Sequence, residues 1–386
     1  MLLELLWHPY TITCCALTGM ATTFLCFAVV NTRKLTRLPS SAIIPQEKIS
    51  VLVPARNEAR CIEACIRSLC AQNLPNLEVI VLNDQSEDNT GIILGRLAAE
   101  YSTLRVIDGT PLPDGWVGKS WACHNLSLHA TGDVLVFTDA DTVHQPDTLA
   151  RAVASMKDNN LDMLSLIPLQ TMKSFAEHAV IPIVHMIFFA TMLNIRRIGK
   201  HNTTPSAAIG QFIAFTARGY SAIGGHQRVR YSLVEDVFLA KAAAHDGIAF
   251  ALVDGTDAVD CHMYTSAEEV TKGFSKNLFA AMKYNPLLMI GFIVLQLALY
   301  VMPPAMLVYS IVEGRPLDAA MLLFVILATL SMRYTVAKRF SMPSWHAAIQ
   351  PVTALWCIAI CINSIRWAYS RNGSQWKGRA YARRET

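Results

Sequence analysis

Charge is what this sequence has least of. Of its 386 residues, 16% are charged and 53% apolar, where a soluble globular chain carries about 25% charged residues. The deficit gathers at the two ends, in about the first thirty residues and the last hundred, so a chain soluble along its whole length is excluded. No Cys-x-x-Cys pair occurs among the ten cysteines. They read as small buried hydrophobes rather than a disulfide or zinc framework. There is no Gly-x-Gly-x-x-Gly fingerprint, which removes the usual nicotinamide enzymes. No run resembles a nucleic-acid-binding motif, and no nucleic-acid partner is expected. The net charge of +4 comes with Arg and Lys clustered beside apolar stretches, a pattern that fits an anionic membrane surface.

The apolar stretches come first in the chain and last. Tyr10 to Val30 is uncharged for 21 residues, long enough to cross a bilayer. Only Glu4 stands as a charge before it, so a retained anchor is expected rather than a cleaved signal peptide. Arg33, Lys34 and Arg37 follow and favour the cytoplasmic side. Three further stretches, Pro286 to Val312, Leu317 to Val336 and Trp345 to Ile365, are each long enough to span, and Pro303 with Pro304 predicts a kink in the first of them. His178 to Leu193, followed by Arg196, Arg197 and Lys200, reads as a helix at the membrane interface, with a buried helix of the soluble domain as the alternative. The topology rules collide here. Three crossings after a cytoplasmic domain would put the tail "RNGSQWKGRAYARR" outside, yet its basic residues favour the inside. Either one segment does not cross, or the tail is outside.

Between these ends, Lys48 to Asp260 reads as an α/β domain. "ISVLVPA", "LEVIVLND", "LRVID" and "DVLVFTDAD" are strand-like runs separated by helical periodicity. That alternation predicts a mostly parallel central sheet with helices on both faces. Such a sheet binds its ligand beyond the carboxyl ends of its strands, and four clusters fall there. The first is Pro54, Ala55, Arg56 and Glu58, and the second begins at Asp84. The third is Asp139 and Asp141, which point the same way if the segment is extended. Two like charges on one face call for a bridging cation, Mg²⁺ or Mn²⁺ by their oxygen donors; a solvated turn is the competing reading. The fourth is Glu235 and Asp236, readable as a general base and as the charged start of a helix. Arg56 and Lys119 offer positive charge to a diphosphate, although Lys119 alone would pass as a surface lysine. His262 is read as packing or local hydrogen bonding.

Taken in order, "VPARNE", "VLNDQSEDNT", "PDGWVGKSWAC", "ATGDVLVFTDADT", "AIGQFIAFTARGYSAIGGH", "VEDVFLA" and "GFSKNLF" make the chain resemble membrane-bound family 2 glycosyltransferases of GT-A fold. The nearest in character are the bacterial enzymes that glucosylate carotenoids and hopanoids, and the ceramide glucosyltransferases. The resemblance implies that Pro54, Ala55, Arg56, Glu58 and Asp84 hold the uridine part of a UDP-sugar. It implies that Asp139 and Asp141 bind the sugar nucleotide and, through Asp141 chiefly, a divalent cation. Asp236 would be the catalytic base, with Gln211 and Gly224–His226 lining the sugar and acceptor region. The Gln-x-x-Arg-Trp motif of many processive relatives is missing from "TKGFSKNLFA", where Phe274 would replace the tryptophan and Lys276 would supply charge.

The expected organisation is an anchor and basic linker (1–47), a cytoplasmic catalytic domain (48–284) with the interfacial helix near 178–200, C-terminal membrane helices (285–370) and a basic tail (371–386). The expected activity is inverting transfer of a hexose, glucose above others, from a UDP-sugar to a bilayer lipid such as a carotenoid, hopanoid or sphingolipid-like compound, at the bacterial inner membrane and with no obligate protein partner. Transfer to a polyprenyl phosphate and processive synthesis are the alternatives. A transporter would need polar residues in its membrane helices, and the last three apolar stretches have few.

Overall fold

The computed structural model describes residues 8–192, 207–370 and 374–381. Its centre is a sheet of β1 (Ile49–Ala55), β2 (Leu77–Asn83), β3 (Leu104–Asp108), β4 (Val134–Thr138), β6 (Met163–Ile167), β8 (Phe212–Thr216) and β9 (Phe250–Asp254). Their order is β3-β2-β1-β4-β8-β6-β9. β8 alone among them runs antiparallel to its neighbours. A small sheet of β5 (Thr142–His144), β10 (Val259–Cys261) and β7 (Leu169–Gln170) lies next in the chain to the ends of β4 and β6.

The unbroken apolar runs follow from burial on both sides. Val51, Val53, Val79 and Val81 pack with Ile62, Ile66 and Leu69 of helix Ile62–Cys70, and with Leu94 and Leu97 of helix Thr90–Glu100. Their strand neighbours Leu52, Ile80, Leu82 and Phe137 face the other way, onto helices Gly118–His129 and Glu235–His245. A strand covered on both faces has no polar side to alternate with.

Helices Pro9–Lys34 and Pro316–Arg339 and the segment Pro286–Val312 are long and apolar enough to cross a membrane. They pack side by side. At one end the Tyr10 hydroxyl donates to the Met306 carbonyl at 2.7 Å, and the Arg315 guanidinium lies 5.0 Å from the Tyr10 ring centroid. At the other end Arg339 donates to the carbonyls of Thr32 and Leu35, both at 3.1 Å, and pairs with the buried Asp254 at the end of β9. Pro9–Lys34 and Pro316–Arg339 therefore run the same way, and Pro286–Val312 runs back. The expected break before Pro303 and Pro304 takes the form of a π-helical turn, Leu297–Val301, which shifts the hydrogen-bond register where a proline lacks its N–H.

Two of the apolar stretches make contacts that their length alone does not announce. Helix Gln350–Tyr369 has the length and hydropathy to span, and it lies along helix Ala267–Ala281. Trp356 donates to Thr271 (3.1 Å), Asn363 to Ser275 (3.0 Å), and the Phe279 N–H to Ser364 (3.0 Å). The stretch beginning at His178 is broken by Pro182 into Phe175–Val180 and Pro182–Ile187, then a π turn, Phe188–Met192. A reciprocal Ser174–Glu177 capping box starts it. Met186 and Phe189 pack in one cluster with Ile167 and Leu252 of the sheet and with Met332 and Phe340. This stretch is thus wedged between sheet and long helices, while Arg196, Arg197 and Lys200 lie outside the described residues.

Arg339→Ala would leave Asp254 buried with only Arg37, 3.6 Å away, near it. Removing one partner of a buried pair costs about 3–5 kcal/mol, and the remaining arginine sets the expectation at the lower end. Thermal unfolding in detergent should drop accordingly, whereas Arg67→Ala in the exposed Arg67–Glu100 pair should leave the melting temperature nearly unchanged.

Candidate active site

The carboxyl ends of β1, β2 and β4 open into a cavity of about 440 Å³. Most of the site residues expected from the sequence line it: Pro54, Ala55, Arg56, Glu58, Asp84, Lys119, Asp139, Asp141, Gln211, Asp236 and Lys276. Phe274 does so too. Gly224–His226 does not line it. The His226 ring is buried behind β4, bonded to the Tyr220 hydroxyl at 2.8 Å and 4.6 Å from the Phe137 centroid.

The Asp139–Asp141 turn is held by its neighbours. The Thr142 hydroxyl donates to the Asp139 carbonyl at 2.7 Å, and the Thr138 hydroxyl to the Gln211 carbonyl at 2.8 Å. Ala140 between the two acids is buried, and both carboxylates face the cavity. Burial, with Asp139 and Glu58 alongside, pushes the Asp141 carboxyl up to about 7. No group of three or more His, Cys, Asp or Glu side chains that could hold a metal occurs among the described residues. Two carboxylates completed by ligand oxygens nevertheless suit Mg²⁺ or Mn²⁺, which keep few protein ligands, and a divalent charge would relieve the repulsion that raises Asp141.

Lys119 joins two of the acidic clusters. Its ammonium lies 2.7 Å from an Asp139 oxygen and 2.9 Å from a Glu235 oxygen. Burial alone would lower the Lys119 ammonium, but Asp139 and then Glu235 hold it well above its usual range. Burial would likewise raise Glu235, and Lys119 instead draws it below the ordinary value. This lysine is therefore engaged by the protein rather than presented free to a phosphate.

Asp236 stands in the first turn of helix Glu235–His245. One of its oxygens accepts from the Val237 N–H at 2.8 Å and the other from the Gly210 N–H at 2.9 Å. A Cβ on Gly210 would sit 3.1 Å from the Lys119 ammonium and 3.2 Å from Asp236, so the missing side chain permits this close approach. Burial, then the neighbouring Glu235 charge, pushes the Asp236 carboxyl up to about 6. Asp236 thus stands at a helix start with its carboxyl raised toward neutrality. Lys276, brought down to about 8 by burial, lines the same cavity.

Other residues of the site are bonded within the protein. The Gln211 amide accepts from Gln170 at 2.9 Å and donates to the Cys261 sulfur at 2.9 Å, so both of its ends are bonded within the protein. Arg56 donates to the carbonyls of Asp84 (2.7 Å), Gln85 (3.1 Å) and Lys377 (2.9 Å). His262 bonds Glu177 at 3.2 Å. Unforeseen are Lys377 and Arg379, which line the cavity and pair with Glu58 and Asp84. The signal for them was the two-residue Lys-Gly step between strand-like residues in the tail.

Away from the charges the cavity is apolar. Ile181, Val184, Ile187 and Phe188 from one side and Phe274, Leu278 and Met282 from the other complete its lining.

Residues 50–218 match the family described as "Glycosyl transferase family 2". The 4,4'-diaponeurosporenoate glycosyltransferase of Staphylococcus aureus (strain USA300) is 27% identical over 262 residues, 66% of this chain and 66% of that protein. The protein of the same name from strain bovine RF122 is 27% identical over 268 residues, 67% and 68% of the two chains. The match to the first of these thus spans slightly less than two thirds of its length. Among solved structures, a mannosyltransferase from Pyrobaculum calidifontis, in complex with GDP-Man and Mn²⁺, gives a TM-score of 0.55 at 18% identity over 94% of this chain and 100% of that one. The likeness to it is one of fold, the GT-A fold.

Lys119→Met would leave Asp139 and Glu235 facing each other across an apolar side chain. With allowance for solvent reaching the lysine, a loss of about 1–3 kcal/mol is expected in thermal unfolding. Adding Asp139→Asn and Glu235→Gln should recover most of it, as members of one network are not additive.

Proposed function

We propose that this chain, which carries a family 2 glycosyltransferase domain of GT-A fold, transfers a hexose, glucose above others, from a UDP-sugar to a lipid, with inversion at the anomeric carbon. The observation that carries the reading is the continuity of one cavity. Its carboxylate-lined end lies at the strand ends, and its apolar end is built by the two helical stretches that pack beside the long apolar helices. A water-soluble acceptor has no use for that second end. The relatives' name, a glycosyltransferase of 4,4'-diaponeurosporenoate, supports a long apolar acceptor of carotenoid type.

The steps follow from the residues. Asp139 and Asp141 would hold a divalent cation together with the donor's diphosphate, and such an ion offsets charge on a departing nucleotide. Asp236 takes the proton of the acceptor hydroxyl as its oxygen bonds to the anomeric carbon. The bond from that carbon to the phosphate oxygen breaks, and UDP leaves with the electron pair. One displacement inverts the centre and needs no carboxylate nucleophile. Lys119 bridges Asp139 and Glu235, and the Gly210 N–H holds Asp236 in place. Transfer to a polyprenyl phosphate is the second reading, favoured by Lys241 and Lys276, which line the same cavity and would meet an acceptor phosphate.

Three crossings are proposed, by 9–34, 286–312 and 316–339, with helix Gln350–Tyr369 lying on the catalytic domain. The bonds of Lys377 and Arg379 to Glu58 and Asp84 support a tail on the catalytic side, which the positive-inside bias makes cytoplasmic. A green fluorescent protein fused after Thr386 should fluoresce in a bacterial host, and alkaline phosphatase at Gly314 should be active. Phosphatase activity from a fusion after Thr386 would contradict this topology.

The purified chain, given UDP-glucose, Mn²⁺ or Mg²⁺ and a panel of carotenoid acids and alcohols, hopanoids, ceramide and undecaprenyl phosphate, should yield a lipid one hexose heavier by mass. Product from none of them would reject the reading, and longer products would favour processive synthesis. Asp236→Asn should lower kcat by about 10²–10⁴ with little change in donor affinity. Because the base works deprotonated, kcat/KM should fall about tenfold per unit as pH drops below about 6 and level off above it.

A further inference from the structure

The tail contains a hairpin, Ser374–Trp376 with Arg379–Tyr381, joined by Lys377 and Gly378. Both turn residues have left-handed backbone, φ 47° and 78°. Such two-residue turns favour Asn or Gly, and a lysine in that conformation is strained. Its ammonium pairs with Glu58, beside Asp141. Two residues on, Arg379 forks onto Asp84 at the end of β2, one nitrogen at 2.8 Å and the second closer. The Arg56 side chain donates to the Lys377 carbonyl at 2.9 Å and ties the turn down. Lys377 and Arg379 line the site cavity and also a second cavity of about 660 Å³, so the hairpin lies across the mouth between the two.

Charge says what this arrangement is for. Six carboxylates line the site cavity: Glu58, Asp84, Asp139, Asp141, Glu235 and Asp236. The catalytic domain answers with four cations, Arg56, Lys119, Lys241 and Lys276, of which Lys119 is held by two of the carboxylates. A diphosphate entering that surplus of negative charge would be repelled. The two tail cations bring the balance to six against six.

We propose that the hairpin is an arm of the donor site. Lys377 and Arg379 satisfy Glu58 and Asp84 while the site is empty and turn onto the diphosphate when a nucleotide sugar enters. This rests on the nucleotide-sugar reading above.

The test measures UDP-glucose binding by calorimetry with Mn²⁺ present, using the full chain in nanodiscs. Lys377→Ala and Arg379→Ala should each raise Kd about tenfold, and Arg379→Lys less, with melting temperatures near that of the unaltered chain. In parallel, UDP-glucose should slow tryptic cleavage after Lys377 and Arg379, read by mass spectrometry. Variants that bind as well as the unaltered chain, or tighter because the hairpin is a plug, overturn the proposal, as does faster cleavage with donor present. If the unaltered chain binds no UDP-glucose, the donor reading itself fails. If it binds and the variants match it, only the arm fails.

Discussion

Like charge crowded at the carboxyl edge of one sheet is the constraint under which this site is built. Carboxylates arrive there from β2, from the turn after β4 and from the start of helix Glu235–His245, and each needs a counter-charge or a proton. Lys119 answers for two of them, at 2.7 and 2.9 Å. That shared ammonium draws Glu235 below its ordinary value, while Asp141 and Asp236, outside the bridge, are pushed upward by burial first and by neighbouring carboxylates second. A division of labour follows from geometry alone. One pair shares a cation within the fold, and the other keeps an unmet demand that a cation or a proton can fill.

Much of this was legible in the sequence because it is local. Apolar runs that stop at acids mark strand ends, and strands buried on both faces cannot show polar alternation, so "VIVLND" and "VLVFTDAD" were readable directly. Asp139 and Asp141 are two residues apart, and Asp236 opens a helix whose start is visible. What escaped notice depends on chain separation. Arg379 meets Asp84 across 295 positions, and no pattern in either segment announces the other. The double engagement of Lys119 was hidden for the same reason. Helix Gln350–Tyr369 has the apolar length of a membrane span, but its bonds to Thr271, Ser275 and Phe279 join segments some 85 positions apart and could not be read from that length. The resemblance placed Gly224–His226 along the sugar and acceptor region, whereas the His226 ring is buried against Phe137.

The long helices and the catalytic domain are joined by polar contacts as well as apolar ones. Arg339 ties the ends of the first and third long segments to β9, and Arg333, buried, donates to the His178 carbonyl at 3.2 Å and the Ala179 carbonyl at 3.3 Å. These arginines close open carbonyls at helix ends with a charge that also serves packing. The apolar wall of the cavity and the helices beside it therefore form one packed unit.

The Arg339–Asp254 pair has a geometric consequence. A sheet fastened at its edge strand to a helix end cannot rock toward the bilayer or away from it. On the proposed reading, Asp236 then stands at a set height above the lipid surface, and the lipid must do the travelling. An acceptor would be sorted by how far its reactive end can rise while its tail stays immersed, a criterion of reach that no contact with its head group would reveal.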